Sequence, residues 1–74
     1  MDAREVRSMT DEEILNAIED QREALFNLRF QKASGQMEDT NTLRYTKRDL
    51  ARLLTIQRER ALAAQLAEEE NENA

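Results

Sequence analysis

The sequence predicts an all-α protein, an antiparallel two-helix hairpin preceded by a short turn or helix. Three observations lead to this fold class. The 74 residues include no proline, one glycine and 36% charged residues, and abundant Ala, Leu, Glu, Arg and Gln favour long helices over a sheet. Apolar residues recur at spacings of three and four in two segments. A short polar connection separates these segments, and two long helices joined in this way pair antiparallel.

The first long helix is predicted over about residues 11–34. Thr10 and Glu13 fit a capping box, in which each side chain accepts the backbone amide of the other residue. Met9 and Ile14 have the spacing of a hydrophobic staple. Three acidic residues in the first turn favour the positive end of the helix dipole. These signals agree on one start point for the helix.

The connection is predicted over about residues 35–40, and the second long helix over about residues 41–66. Gly35, the only glycine, suits the left-handed residue that ends a helix. Three residues are suited to capping the second helix, with the threonine favoured: Asp39, Thr40 and Asn41. At about 1.5 Å per residue each helix would be about 35 Å long, so the hairpin is a rod without a central cavity.

Both ends of the chain lie outside this hairpin. The segment before Thr10 contains Val6 and Met9, and it is predicted to fold back onto the hairpin as a turn or short helix. Residues 67–74 form an acidic tail that is predicted to be disordered, because acids near a helix C-terminus oppose the dipole and nothing apolar anchors them. Because the N-terminal segment folds back onto the two helices, the predicted domain comprises residues 1–66, and only the tail lies outside it.

The apolar spacing also predicts which residues form the hairpin core. Four lie on the first helix and four on the second: Ile14, Ile18, Leu25, Leu28, Leu43, Leu50, Leu53 and Leu54. On a helical wheel, Tyr45 and Ile56 project away from this seam. They either touch a partner or are isolated exposed residues.

Composition excludes several classes of function. The chain has no cysteine and no histidine, so disulfides and zinc sites are not expected, and the glutamates of the tail are expected to be solvated rather than to hold a metal. A thin rod offers no water-excluding site for catalysis or a small-molecule substrate, so no enzyme and no cofactor are predicted. No apolar run is long enough for a signal peptide or a membrane span, which predicts a cytoplasmic protein.

Charge is distributed unevenly along the chain, although the total is −5. Residues 1–28 carry three basic and eight acidic groups, residues 29–60 carry eight and four, and residues 61–74 carry four acids. On the second helix a basic arc adjoins the apolar seam: Arg44, Lys47, Arg48, Arg52, Thr55 and Arg58. The arc is either an RNA-binding line of cations or an ordinary solvated helix face.

Two strings of residues resemble a known family. The first runs Leu25-Phe26-Asn27-Leu28-Arg29-Phe30-Gln31 and is followed by Gly35-Gln36, and the second is Lys47-Arg48-Asp49-Leu50-Ala51-Arg52. Over roughly residues 5–60 the chain is similar to the bacterial form of large-subunit ribosomal protein number twenty-nine. The resemblance implies a two-helix hairpin bound to large-subunit rRNA near the mouth of the peptide exit tunnel.

The resemblance also implies residue roles and partners. RNA contacts are implied for nine residues: Asn27, Arg29, Gln31, Gln36, Arg44, Lys47, Arg48, Arg52 and Thr55. The implied neighbours are large-subunit protein number twenty-three and nascent-chain factors at the tunnel exit, such as the signal recognition particle and trigger factor. Two features depart from the family, which is commonly basic and often has lysine where Asp2 stands. Both features bear on how far the N-terminus contacts RNA.

Phe26 and Phe30, four residues apart, have two interpretations. The favoured interpretation is packing, either within the hairpin or against a neighbouring ribosomal protein. The other is stacking on unpaired bases.

Two other functions compete with the ribosomal one. An antiparallel coiled-coil adaptor would show a cleaner apolar seam than this one, which polar residues such as Gln21 and Gln57 dilute. An amphipathic membrane-surface hairpin is disfavoured by the acidic ends.

Overall fold

A computed structural model describes residues 1–36 and 40–73, and these form three helices. α1 spans Ala3–Arg7, α2 spans Asp11–Ala33 and α3 spans Asn41–Asn73. The two long helices pack against each other, which confirms the all-α hairpin, and α1 packs on α3. The molecule is a rod of 59 × 21 × 17 Å.

The ends of α2 are fixed by the residues that the sequence singled out. The Thr10 hydroxyl accepts the amide of Glu13 at 3.1 Å, and the Glu13 carboxylate accepts the amide of Thr10 at 3.4 Å. At the other end Gly35 has φ +76°. The Gly35 amide donates to the carbonyl of Lys32 at 3.2 Å, and the Gln36 amide donates to that of Gln31 at 2.9 Å. This pair of bonds is a Schellman motif.

Residues 37–39 of the connection to α3 lie outside the described residues, and they include Asp39, one of the three predicted caps. α3 begins at Asn41, so Thr40 occupies the position before the helix. The Thr40 carbonyl accepts the amide of Arg44 at 3.3 Å.

The core lies where all three helices meet. It is formed by Val6 of α1, Ile14 and Ile18 of α2, and Leu53 and Ile56 of α3. Leu50 and Leu54 pack against this cluster and are partly buried. Further along the hairpin Leu25 and Leu43 are buried and Leu28 is half-buried.

Ile56 corrects the sequence-based expectation, because it is buried rather than projecting to solvent. The wheel considered only the face of α3 toward α2. α1 covers the adjoining flank of α3, where Val6 packs with Leu53 and Ile56. Tyr45, its predicted counterpart, is exposed.

The helical part of the acidic tail is a second correction. α3 continues from its predicted end near residue 66 to Asn73, so most of the segment predicted to be disordered is helix. Ala, Leu, Gln and Glu are strong helix formers, and residues 61–70 consist only of these four types, so the helix extends despite the unfavourable charge at its C-terminus. Ala74 lies outside the described residues.

Candidate nucleic-acid interface

The basic arc of α3 faces solvent along its whole length. All six of its members are exposed: Arg44, Lys47, Arg48, Arg52, Thr55 and Arg58. The arc is presented by a helix whose opposite flank is held by α1 and α2, so the packing fixes the direction in which these side chains point. The structure therefore brings the predicted α3 residues together on one open surface.

The cations of the arc differ in how they are engaged. Within residues 1–36 and 40–73, Arg44, Lys47, Arg48 and Arg58 make no ion pair. Arg52 is partly occupied, since its guanidinium donates to the carbonyl of Met1 at 2.6 Å and lies 3.8 Å from the Asp49 carboxylate. Four cations without an ion pair in this part of the chain therefore remain available to an anionic partner, and so does Arg52, which also binds Met1 and lies near Asp49.

Thr55 has its hydroxyl engaged within the helix. Its Oγ1 donates to the carbonyl of Ala51 at 2.7 Å. The hydroxyl oxygen keeps acceptor capacity toward solvent, so a contact to a 2′-hydroxyl donor remains chemically possible.

The predicted polar residues of α2 are all exposed, but they do not form one surface. Asn27 and Gln31 are four residues apart and share a face of the helix, whereas Arg29 lies on another side. Gln36 is held near Gln31 by the backbone bond that closes the Schellman motif. Asn27, Gln31 and Gln36 are thus grouped toward the turn end of the hairpin, with Arg29 apart from them.

Phe26 and Phe30 are the most exposed large apolar residues of the described chain, at 71% and 65%. Packing within the hairpin, one of the predicted roles, is therefore wrong. Each phenylalanine lies more than a quarter-turn of the helix away from the seam that Ile14, Ile18 and Leu25 form. A partner outside the hairpin, either a neighbouring protein or an unpaired base, is the remaining role.

Arg60 is an important residue that sequence reasoning missed. Its guanidinium donates to the carbonyl of Met9 at 2.7 Å, to that of Arg7 at 3.1 Å and to the Asp11 carboxylate at 2.7 Å. It therefore ties α3 to the connection between α1 and α2. A signal was available: Arg60 follows Leu53 and Ile56 by seven and four residues, in phase with the buried face.

Two shallow grooves lie on the surface of the rod. One runs between the start of α2 and α3, lined by Asp11, Ile14, Gln57, Arg60, Ala61 and Ala64. The other lies between α1 and α3 and includes Ala3, Arg7 and Glu59.

Over the described ranges, no group of three or more acidic residues is arranged to hold a metal ion. Nor is any helix of that part of the chain long and apolar enough to cross a membrane.

Comparison with known proteins decides the family. The family model described as ribosomal L29 protein matches residues 4–60. The chain belongs to the ribosomal L29 family. Similar relatives are named large ribosomal subunit protein uL29, and the protein from Geobacillus stearothermophilus is 52% identical over 64 residues, covering 86% of this chain and 97% of the relative.

Relatives from other bacteria give the same result. The uL29 protein of Thermotoga maritima is 50% identical over 84% of this chain and 94% of the relative. That of Saccharopolyspora erythraea is 45% identical over 90% and 84%. Membership in this family of structural ribosomal proteins confirms the resemblance noted in the sequence and the prediction that the chain is not an enzyme. It favours the ribosomal function over the adaptor.

Proposed function

We propose that this member of the L29 family is a cytoplasmic, ribosome-bound structural constituent of the large subunit that binds rRNA through the basic arc of α3. The observation that carries the proposal is the openness of the arc: Arg44, Lys47, Arg48 and Arg58 lie on one exposed surface without an ion pair in the described chain. Arg4 and Arg22 are also exposed without an ion pair among the described residues, but the arc groups four such cations on one helix face, where a phosphate backbone gains from each one.

The mechanism is positional rather than chemical. The cations replace counterions along the phosphates, and the stiff helix holds them in register with the RNA backbone. If four open cations and Arg52 each neutralise one phosphate, the affinity should fall with salt at a log–log slope of roughly −3.5 to −4.5, at about 0.7–0.9 per contact. Arg52 retains free N–H donors beyond the one that binds the Met1 carbonyl, so it serves both the fold and the RNA.

The turn end of α2 supplies the second part of the proposed interface. Asn27, Gln31 and Gln36 offer amide groups that hydrogen-bond to ribose, phosphate or base edges. Arg29 lies on a different side of α2, so its contact is to a separate RNA segment. Phe26 and Phe30 are covered in the assembled subunit, preferably by a neighbouring ribosomal protein and otherwise by an unpaired base.

The proposed position and neighbours follow from the family resemblance. The chain lies near the peptide exit tunnel, beside large-subunit protein number twenty-three. This position brings it close to the docking sites of nascent-chain factors such as the signal recognition particle and trigger factor.

The test is cosedimentation of the tagged full chain with bacterial large subunits that lack their own L29-family protein. Stoichiometric binding is expected for the wild type. The variant Arg44→Glu/Arg48→Glu should lose binding, because it reverses two open charges of the arc. The matched control is Arg4→Glu/Arg22→Glu, which changes the net charge equally at exposed positions outside the proposed interface.

The two variants separate RNA anchoring from a general charge effect. Equal loss of binding in both would refute the assignment of the arc, and no cosedimentation of the wild type would refute ribosomal binding altogether. Circular dichroism must show wild-type helix content and melting for both variants, which excludes unfolding as the cause.

A further inference from the structure

The C-terminal segment of α3 (residues 62–73) is a helix that projects past the hairpin. The groove where Ala61 and Ala64 meet Asp11 and Ile14 marks the start of α2. Beyond it every residue through Glu72 is exposed. From Gln65 onward, therefore, no element of the described chain covers the segment.

The segment carries an apolar pair that a fully solvated helix does not need. Leu62 is 49% exposed and Leu66 is 60% exposed, and their spacing of four places them side by side on the helix surface. A partner helix with its own apolar residues at a spacing of four would cover both leucines together.

The apolar pair continues the side of α3 that carries the basic arc. Leu62 follows Arg44 by eighteen residues, and Leu66 follows Arg48 by the same number. Eighteen residues make five helical turns, so both leucines lie in line with these arginines. One side of the helix thus changes from basic to apolar and then, from Glu68 onward, to acidic.

The acidic end determines which kind of partner fits. The segment contains Glu68, Glu69, Glu70 and Glu72 and no basic residue. Phosphates repel it, so an RNA that follows the basic arc cannot continue along it. A partner that combines apolar residues with Lys or Arg is complementary to both features of the segment.

The C-terminal segment lies beyond the ribosomal L29 model, which ends at residue 60. The match to the Saccharopolyspora erythraea relative covers 67 residues of this chain, so it reaches at least residue 67 and includes Leu62 and Leu66. RNA binding through the basic arc uses neither leucine and therefore leaves the C-terminal segment unexplained.

We propose that the C-terminal segment of α3 docks a basic amphipathic helix of another protein. Leu62 and Leu66 receive its apolar residues, and Glu69 and Glu70 pair with its Lys or Arg side chains. The proposal goes beyond rRNA binding and can be tested without RNA.

The first test is a fluorescence anisotropy titration of a labelled synthetic helical peptide that has leucines four residues apart, flanked by lysines. The full chain is expected to bind this peptide and not a version with glutamate in place of lysine. Leu62→Ala/Leu66→Ala should weaken binding at least about tenfold, because the apolar contact is lost while helix propensity is kept. The control Leu15→Ala removes a similarly exposed leucine on α2 and should leave affinity unchanged.

Two results would overturn the proposal. Equal affinity of the wild type and the leucine double variant would reduce the effect to nonspecific charge attraction. Sedimentation that shows the chain self-associating without peptide, and losing this association in the double variant, would assign the apolar pair to a second copy.

The second test uses the chain assembled into large subunits, with the photoreactive substitution Leu66→p-benzoylphenylalanine. A cross-link to a basic helical segment of a ribosomal protein is expected. A cross-link to rRNA alone, or none, would overturn the proposal. If the chain failed to enter subunits, the proposed rRNA function would fail, and the peptide titration would still decide this inference.

Discussion

Replacing Arg60 by methionine should destabilise the fold far more than its position on a largely exposed part of α3 suggests. Methionine keeps much of the aliphatic stem and removes the guanidinium that bridges Arg7, Met9 and Asp11. The variant would lose the hydrogen bonds that tie α3 to the connection between α1 and α2, while the apolar contacts between them remain.

The magnitude follows from the three contacts. A hydrogen bond from a charged donor contributes about 1.5–3 kcal/mol. The bond to the partly buried Met9 carbonyl, at 2.7 Å, should be the strongest, and that to Arg7, at 3.1 Å, is weaker. Because the Asp11 side chain is 88% exposed, its ion pair contributes at most about 1 kcal/mol. Since Arg60 itself is 32% exposed, we expect a total loss of about 2 kcal/mol.

The assay is thermal unfolding of the full chain followed by circular dichroism. For a domain of this size a loss of about 2 kcal/mol lowers Tm by roughly 8–16 °C. The control Arg58→Met removes a neighbouring exposed arginine of the basic arc and should change stability by about 0.5 kcal/mol or less. Asp11→Asn isolates the ion pair and should have a small effect. Indistinguishable Tm values for Arg60→Met and Arg58→Met would refute the bridging role.

Three further substitutions test the fold. Gly35→Ala should cost about 1–2 kcal/mol, since its positive φ strains any side chain although the space is open; urea denaturation measures the loss. Thr10→Ala should cost about 1 kcal/mol by leaving the amide of Glu13 uncapped, whereas Thr10→Ser should not. Leu53→Ala, at a fully buried position, should cost about 2–5 kcal/mol and leave the chain largely unfolded by circular dichroism.

The predictable features were those encoded over a few residues. Thr10 and Glu13 predicted the start of α2, and Gly35 predicted its end, because caps depend on local backbone groups. The exposure of the basic arc was also predictable, since helical periodicity alone separates it from the seam. Contacts of these cations with RNA remain a prediction, because they depend on a partner that the chain does not contain.

The missed features depend on residues far apart in the sequence. Ile56 is buried because α1 covers a flank of α3, and the wheel had no means of adding a third helix. Arg60 binds carbonyls about fifty residues earlier, and its spacing from Leu53 and Ile56 indicates the buried face of α3 but not which carbonyls it would meet. α3 extends beyond its predicted end near residue 66 because the helix propensity of Ala and Glu outweighs the unfavourable interaction of the acids with the helix dipole.

The packing of α1 mainly on α3 sets an order of events during synthesis, because α3 is the last helix to be translated. Val6 finds Leu53 and Ile56 only after most of the chain has been made, and Arg60 closes the connection at Met9 later still. α1 is therefore the first helix to be translated and the last to pack against the rest of the fold. Until then, five residues capped by Asp2 and Ser8 are far too short to persist as an isolated helix. A release of the chain before residue 60 would leave the N-terminal segment open to proteolysis, while longer products would be protected.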